Sequence, residues 1–358
     1  MKAENGIRVE NIYYMLAYAF QALNQGEYAR VKAEQFDNAE DLFGEILSLG
    51  MSGLLKRGRH RTYVEITENL PGLRGRVDIV ETMRHKAARS QLLGCVHDEF
   101  SANNIFNMIL KTTACMLIRS GRLQKSKYRL KRAVLCFSDV DEIDAKQIRW
   151  SSLRYQKNNL HYVMLMNICR FVIDGMLMGD EDKGGNKKIR HIKYDELKLS
   201  KLYENFICSY YARHYRLGAR AREIDWAVDD KDTASHLEQL PTMRSDVVLT
   251  GGDKMLIIDA KFYKSAMQEY YQHISVNSAN FYQIFAYVSN AQVQEPNRKV
   301  SGMLLYAKTD EQVLPDLRVS IVGKEYAART LDLALPFKEI AAQLDDIVTE
   351  YFGAGWAK

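Results

Sequence analysis

Residues 244–261 read Arg244-Ser-Asp246-Val-Val-Leu-Thr-Gly-Gly-Asp-Lys-Met-Leu-Ile-Ile-Asp259-Ala-Lys261. Two runs of β-forming residues flank the paired glycines, which is a strong signal for a hairpin turn. If the turn is symmetric, Asp246 lies opposite Asp259 on the neighbouring strand. Asp259 and Lys261 are two residues apart in one strand, so their side chains project from the same face. The sequence therefore predicts a β-hairpin that gathers three charged side chains.

Two carboxylates that face each other across a ladder repel and destabilise the sheet unless something offsets their charge. Oxygen ligands at this spacing suit Mg²⁺, and the carbonyl of Ala260 offers a third ligand beside Asp246 and Asp259. A lysine next to such a site orients or deprotonates an attacking water and stabilises charge on a phosphate. The pattern predicts metal-dependent hydrolysis of a phosphodiester, with Lys261 assisting.

The same residues have a purely structural interpretation, in which Asp259 and Lys261 form a surface ion pair. However, the apolar run Met255-Leu-Ile-Ile258 leads directly into Asp259, as in a buried central strand that ends in charged residues. Charges at such a strand end usually belong to a functional site. This position favours the metal site over the ion pair.

Two amphipathic helices are predicted on either side of the hairpin. The first carries an apolar stripe with Glu204 on its flank, and the second places Gln283 and Tyr287 one turn apart on its edge. Glu204 is a candidate ligand of the metal or of a water, and Gln283 and Tyr287 are candidates to hold the scissile strand. Each of the three is also compatible with an ordinary position on a helix flank.

A chain of 358 residues is longer than one core usually accommodates, so two domains are expected. The segment 179–193 contains Gly184-Gly185-Asn186 and a cluster of charges, which is typical of a linker. Before it, the periodicity predicts helices over 11–20, 40–55 and 103–118, and strands near Tyr63–Thr67 and Leu70–Ile79. We therefore place the domain boundary at residue 190.

The segment Arg119–Arg132 contains seven basic residues and no acidic one. It is either a solvated helix face or a surface that meets phosphates or a partner protein. The net charge of +5 permits a polyanionic partner without requiring one.

Five single cysteines with no CxxC pair predict buried thiols in a reducing compartment. No apolar run approaches the ~18 residues that a membrane span needs. We expect a cytoplasmic protein without a membrane partner.

The order of these residues resembles the PD-(D/E)xK nuclease superfamily. In that superfamily a helix bearing a glutamate precedes the acidic residues and the lysine, and a helix bearing glutamine and tyrosine follows them. The chain departs from the pattern at Ser245, where a proline often precedes the first acid. The resemblance implies a mixed β-sheet flanked by helices, with Asp246, Asp259 and Lys261 as catalytic residues.

A closer resemblance, to the McrC family, extends over nearly the whole chain. It rests on segments that occur in the same order: Asn11-Ile-Tyr-Tyr-Met-Leu-Ala-Tyr-Ala, Leu70-Pro-Gly-Leu-Arg-Gly-Arg-Val-Asp, Asp98-Glu-Phe-Ser, Asn107-Met-Ile-Leu-Lys, Leu240-Pro-Thr-Met-Arg-Ser-Asp246 and Asp259-Ala-Lys-Phe-Tyr-Lys264. Proteins of that family are nuclease subunits of restriction systems that cleave double-stranded DNA carrying methylated or otherwise modified cytosine.

The resemblance implies a hetero-oligomer in which an McrB-like AAA+ GTPase ring recognises the modified site and uses GTP. It also implies an α/β (α+β) chain: a mixed α+β domain over residues 1–190 docks on the partner, and a PD-(D/E)xK domain over residues 191–358 cuts the DNA. Arg74, Arg76 and the segment Arg119–Arg132 become candidates for contact with the partner or with DNA. No phosphate-binding loop of the GxxxxGK[ST] type occurs in this chain, as expected if the nucleotide motor is a separate protein.

Two other functions remain open on the sequence. A stand-alone repair or junction nuclease would use the same three residues without a GTPase. A regulatory adaptor would activate a ring NTPase through a vestigial nuclease site, although the intact aspartates and lysine argue against decay.

Overall fold

The computed structural model describes residues 7–19, 36, 38–156, 159, 161–181, 196–228, 238–262, 267–270, 273–308 and 314–358. The chain divides into two compact units, of which the first combines Met1–Ala39 with Tyr194–Lys358 and the second is Glu40–Lys193. The boundary predicted at residue 190 lies close to one edge of the second unit. The division differs from the prediction at the other end, because the residues before 40 belong with the C-terminal unit. The charge cluster Lys187, Lys188 and Arg190 lies outside the described residues.

Helices and strands are numbered here along the chain. The first unit contains α1 (Val9–Ala19), α7 (Glu196–His214), β4 (Arg220–Ile224), β5 (Met243–Gly251), β6 (Lys254–Lys261), β7 (Met267–Tyr270), β8 (His273–Val276), α8 (Ser278–Gln294), β9 (Lys299–Ala307), β10 (Leu317–Ile321), β11 (Lys324–Leu331) and α9 (Phe337–Phe352). The second contains α2 (Ala39–Arg57), β1 (Thr62–Leu70), β2 (Arg76–Asp78), α3 (Ile79–Ala87), β3 (Leu93–Ser101), α4 (Ile105–Ser120), α5 (Lys127–Leu135) and α6 (Tyr162–Glu181).

The first unit is built on a six-stranded mixed sheet in the order β10-β11-β9-β6-β5-β4. Strand β9 runs parallel to both β6 and β11, while the other neighbours are antiparallel. The central strands β6 and β9 are buried along almost their whole length, as expected for strands that are covered on both faces. Helix α7 packs against β5 and β6, and α8 packs against β6 and β9. The predicted mixed sheet flanked by helices is confirmed.

Helix α1 joins the C-terminal unit through polar and aromatic contacts. The amide of Asn11, which is 1 % exposed, donates to the carbonyls of Leu333 (2.7 Å) and Leu335 (2.8 Å). The hydroxyl of Tyr18 lies 2.8 Å from Nε2 of His214 at the end of α7. These contacts are the physical reason why the first part of the chain does not belong to an N-terminal domain. They connect segments more than 190 residues apart, so no local sequence pattern predicts them.

The second unit pairs a three-stranded antiparallel sheet, in the order β1-β3-β2, with a group of helices. Helix α4 packs against α5 and α6. Near its start, the amides of Asn104 and Asn107 both donate to the carbonyl of His60, and the hydroxyl of Tyr162 donates to Asn107 (2.7 Å). The predicted helices over 40–55 and 103–118 and the strand at Tyr63–Thr67 are present within a few residues of their expected ends, and the turn and strand predicted over 70–79 give the short β2 at Arg76–Asp78.

All five cysteines are free thiols. Cys95, Cys115 and Cys169 are buried as predicted and Cys208 is partly buried, whereas Cys136, which caps the C-terminal end of α5, is exposed. Within the described part of the chain, no helix combines the length and the apolar character needed to cross a bilayer.

Candidate functional site

The hairpin of β5 and β6 places the predicted residues at one end of the central sheet. Its register pairs Gly251 with Lys254 and continues to Val247 opposite Ile258, which confirms the predicted symmetric turn. Gly252 occupies the turn with a φ of +58°, a conformation that side chains other than glycine rarely adopt. Because the regular pairing stops at Val247, Asp246 and Asp259 come just beyond the last paired residues.

Side-chain alternation puts the charged residues of β6 under helix α8. Met255 and Ile257 belong to the core that α8 covers, and residues two apart on a strand share a face. Asp259 and Lys261 therefore continue the same face. The amine of Lys261 lies 2.7 Å from Oδ2 of Asp259, and the two side chains are only 12 % and 2 % exposed. The alternative of an exposed surface ion pair is wrong.

Asp246 connects β5 to β6 where the ladder has ended. Its Oδ2 accepts a 2.9 Å hydrogen bond from the backbone N–H of Ala260. Burial raises the pKa of Asp246 to about 7, and the nearby charges of Asp259 and Glu204 add to the increase. Burial also raises the pKa of Asp259, and the adjacent Lys261 offsets only part of that increase. The site holds two carboxyl groups that are costly to ionise together.

Gln283 and Tyr287 extend this group along α8. The amine of Lys261 donates to Oε1 of Gln283 (2.9 Å), and Nε2 of Gln283 donates to the hydroxyl of Tyr287 (2.7 Å). That hydroxyl in turn donates to the carbonyl of Arg244 (3.0 Å), two residues before Asp246. The sequence predicted that Gln283 and Tyr287 belong to the site, but it contained no signal for the carbonyl of Arg244.

Glu204 on α7 lies beside the two aspartates rather than between them. Its carboxylate accepts hydrogen bonds from Ser200 (3.3 Å) and Lys201 (2.7 Å), and its charge raises the pKa of Asp246 and of Asp259. Among the described residues, no three side chains of His, Cys, Asp or Glu come close enough together to bind a metal ion. The described carboxylates at the end of the hairpin are therefore Asp246 and Asp259, with Glu204 as a neighbouring charge.

Comparison with known proteins assigns the chain to a family. Residues 2–307 match the family model described as McrBC 5-methylcytosine restriction system component. The chain belongs to this family. The predicted resemblance to McrC is thus confirmed, and it covers most of the chain.

This McrBC-family chain is 27 % identical over 347 residues to the type IV methyl-directed restriction enzyme EcoKMcrBC of Escherichia coli K12, covering 96 % of the chain and 98 % of the relative. Two solved structures are also similar. A half-complex of Thermococcus gammatolerans McrB AAA+ hexamers with bound McrC matches with a TM-score of 0.48 and 16 % identity, over 95 % of this chain and 76 % of that one. The T. gammatolerans McrBC complex matches with a TM-score of 0.38 and 17 % identity, over 57 % and 58 %.

The basic segment of this McrBC-family chain divides into paired and exposed residues. Arg122 pairs with the buried Glu40, Arg129 pairs with the buried Glu45 (3.0 Å), and Arg119 pairs with Glu142 (2.7 Å). In contrast, three basic side chains of α5 are exposed and have no acidic partner within the described ranges: Lys127, Lys131 and Arg132. Neither interpretation anticipated the pairs of Arg122 and Arg129 with buried carboxylates of α2, whereas Lys127, Lys131 and Arg132 are exposed to an external anion.

Asp41 on α2 holds the residues just before α5 against that helix. Its carboxylate accepts hydrogen bonds from the backbone N–H groups of Gln124 (3.1 Å), Lys125 (3.0 Å) and Ser126 (2.9 Å), just before α5 begins. A carboxylate at this position satisfies N–H groups that a helix start leaves without partners. Gly44 allows the close approach, because a Cβ there would lie 2.5 Å from the hydroxyl of Ser126.

Proposed function

We propose that this chain is the Mg²⁺-dependent endodeoxyribonuclease subunit of a cytoplasmic McrBC-type restriction complex that cuts DNA carrying modified cytosine. The observation that carries the proposal is the convergence of Asp246, Asp259 and Lys261 at one end of the central hairpin in a chain of the McrBC family. This is the arrangement expected of a PD-(D/E)xK nuclease. The methyl-directed activity in the description of the E. coli relative supports the substrate class.

The residues at the site fit a hard divalent cation. Two carboxyl groups lie in a buried place where desolvation raises the pKa of both, and the charge of Asp259 adds to the increase at Asp246. Ala260 directs its N–H toward Asp246, and a residue in an extended strand directs its N–H and C=O to the same side, so its carbonyl is available beside the carboxylates. Asp246, Asp259 and Ala260 are therefore the proposed ligands of Mg²⁺. When bound, Mg²⁺ would polarise the phosphate and lower the pKa of a bound water.

Lys261 supplies the remaining charge that phosphodiester hydrolysis needs. Its amine is held by Asp259 and Gln283 rather than extended into solvent. A fixed cation beside the carboxylates stabilises the negative charge that develops on the phosphate in the transition state, and it costs no reorganisation at that moment. Glu204 is proposed to act through its charge on the aspartates, and Gln283 through its contact with Lys261.

The second unit is proposed to dock on an AAA+ GTPase ring that binds and hydrolyses the GTP. It exposes a group of large apolar side chains on and before α3, which are between 62 % and 68 % exposed: Leu73, Ile79, Val80 and Met83. Arg74 and Arg76 adjoin this group, and their pairs with Glu68 (3.6 Å) and Glu65 (3.3 Å) are exposed and therefore weak. Several large apolar side chains exposed within eleven residues of sequence support a protein interaction site here.

The test is cleavage of plasmid DNA with and without modified cytosine, by this chain together with its GTPase partner in Mg²⁺. Asp246→Ala and Lys261→Ala are expected to abolish cleavage while stimulation of the partner's GTPase is retained, because both changes lie in the first unit's site. Cleavage at wild-type rates by both variants would refute the site. Cleavage by the isolated chain without GTPase would instead identify a stand-alone nuclease, and GTPase stimulation without any cleavage would identify an adaptor.

A further inference from the structure

We propose that Tyr287 is a positioning residue that orients the amine of Lys261 through Gln283, and that the hydroxyl of Tyr287 does not contact the DNA strand. The inference rests on the proposed nuclease function and replaces the role that the sequence suggested for Tyr287. It starts from the continuous set of hydrogen bonds that runs from Lys261 through Gln283 and Tyr287 to the carbonyl of Arg244.

The chemistry of the four groups allows this set to run in one direction only. A lysine ammonium can only donate, so the atom of Gln283 that faces Lys261 must be the amide oxygen. The amide nitrogen then faces Tyr287 and must donate to its hydroxyl. The hydroxyl proton is left to point at the carbonyl of Arg244, which can only accept. Each of the three bonds then joins one donor to one acceptor, and the orientation of the glutamine amide follows from this chemistry rather than from a choice of flip.

Tyr287 is buried inside the first unit. The residue is 5 % exposed and belongs to the core between α8 and the sheet. Its hydroxyl already contacts Gln283 and the carbonyl of Arg244. A contact with DNA would require breaking these bonds and leaving buried polar groups unsatisfied, at a cost of about 1–3 kcal/mol for each group.

The hydrogen bond from Tyr287 to the carbonyl of Arg244 links the amine of Lys261 to strand β5. Arg244 precedes Asp246 by two residues on β5, and Asp259 precedes Lys261 by two residues on β6. Lysine has a long flexible side chain, and its amine is held here by one acceptor on its own strand and one that is fixed to β5 through α8. The positions of the amine and of the two carboxylates therefore depend on the same two strand ends. Misplacement by about 1 Å is enough to reduce a rate by ~100-fold.

The experiment compares Tyr287→Phe with Tyr282→Phe, which removes the hydroxyl of a 71 % exposed tyrosine on the same helix. Single-turnover cleavage by the complex with the GTPase partner is expected to fall roughly 10–100-fold for Tyr287→Phe and to remain unchanged for Tyr282→Phe. The dissociation constant for the same DNA with Ca²⁺ in place of Mg²⁺ is expected to be unchanged in both variants. A weaker DNA affinity in Tyr287→Phe would overturn the proposal, because it would show that the hydroxyl meets the strand.

A double-mutant comparison with Gln283→Leu separates the two roles further. If Tyr287 acts only through Gln283, the cleavage rate of Tyr287→Phe/Gln283→Leu equals that of Gln283→Leu alone. Rate losses that multiply would contradict the proposal. Gln283→Leu also serves if Tyr287→Phe fails to fold, since its loss of rate at unchanged DNA affinity supports the same role.

A readout that needs no metal or activity is the position of Lys261. In a crystal structure of the metal-free Tyr287→Phe chain, the contact between Nζ of Lys261 and Oε1 of Gln283 is expected to be lost, and in Tyr282→Phe it is expected to remain. Retention of that contact in Tyr287→Phe would refute the inference. If wild type and Tyr282→Phe both fail to cut DNA, the proposed function fails instead, and the crystal structures still decide whether Tyr287 positions Lys261.

Discussion

The backbone N–H of Ala260 donates to Oδ2 of Asp246 (2.9 Å), so Asp246 on β5 is held against the strand that carries Asp259, which is only 2 % exposed. Burial raises the pKa of both carboxyl groups, and the charge of Asp259 adds to the increase at Asp246. Without a cation, the folded chain therefore retains a proton on this pair well above the ordinary pKa of a carboxyl group, up to about pH 7. Two predictions follow from this pair.

The first prediction concerns the free energy of unfolding without metal. The pKa of Asp246 is about 7 in the folded chain against an ordinary value of 3.8, so the folded state binds the extra proton between these values and loses stability as the pH rises from about 4 to 8. Asn at position 246 stays neutral at every pH and is of nearly the same size. In EDTA at pH 8, Asp246→Asn should raise Tm by roughly 3 °C or more, the shift that about 1 kcal/mol produces in a unit of this size.

The difference in Tm between Asp246→Asn and wild type should shrink as the pH falls toward 4, because the wild-type carboxyl is then protonated in the folded state. Asp253→Asn at the exposed hairpin turn is the matched control and should change Tm little at either pH. If Asp246→Asn has a lower Tm than wild type at pH 8, ionisation of Asp246 does not destabilise the folded, metal-free chain.

The second prediction concerns the affinity for Mg²⁺. A carboxyl group with a pKa of about 7 must lose its proton to act as a ligand, so binding weakens as the pH falls through 7. Calorimetric titration should show affinity about tenfold lower at pH 6 than at pH 8, with proton release at pH 6. Glu204→Gln removes a negative charge that raises the pKa of Asp246, so the decline should move to lower pH. An affinity that is the same at both pH values would contradict the assignment.

The third prediction concerns Asn11 and the C-terminal unit. Asn11→Ala removes two hydrogen bonds to the carbonyls of Leu333 and Leu335 and should lower the free energy of unfolding of the first unit by about 1–3 kcal/mol. Glu10→Gln, which weakens a partly exposed pair with Arg8 (3.3 Å), should cost less than about 1 kcal/mol. Urea unfolding followed by tryptophan fluorescence measures both. Equal effects of the two changes would mean that α1 is not anchored by Asn11.

The fourth prediction separates the two kinds of basic residue between 119 and 132. Arg122→Ala leaves the buried Glu40 without its cation and should destabilise the second unit by about 3 kcal/mol. Lys131→Glu with Arg132→Glu changes exposed side chains and should alter Tm little while weakening the binding of DNA, of the GTPase partner, or of both. Gel-shift and GTPase assays distinguish those two. Wild-type values in every assay would exclude α5 as a contact surface.

Local sequence patterns were sufficient to predict the central hairpin and the charged side chains that meet at its end. Strand alternation and the glycine turn determine which side chains share a face, and both operate over fewer than about ten residues. They placed Asp246, Asp259 and Lys261 correctly. The apolar stripes of α7 and α8 could also be predicted from the sequence, because helical periodicity is a local property.

Contacts between distant segments were not predictable in the same way. The contact of Gln283 with Lys261 depends on how α8 lies across β6, and the contact of Tyr287 with the carbonyl of Arg244 involves a backbone atom that has no sequence signature. The pairing of the basic segment with α2 left a weak signal, since Glu40, Asp41 and Glu45 form an acidic edge on an otherwise apolar helix. The acidic residues of α2 and the basic segment 119–132 could therefore have been predicted to pair with each other.

The hydrogen bond from Asn11 to Leu333 spans 322 positions of the chain. The unit that contains the aspartates is therefore discontinuous, with residues 40–193 inserted between its two parts. Contacts of such long sequence separation form late and slowly during folding. A fragment that begins at residue 191 lacks α1 and its hydrogen bonds to the carbonyls of Leu333 and Leu335. Grafting the inserted unit from a relative requires two matched junctions, near residues 39 and 193, rather than one.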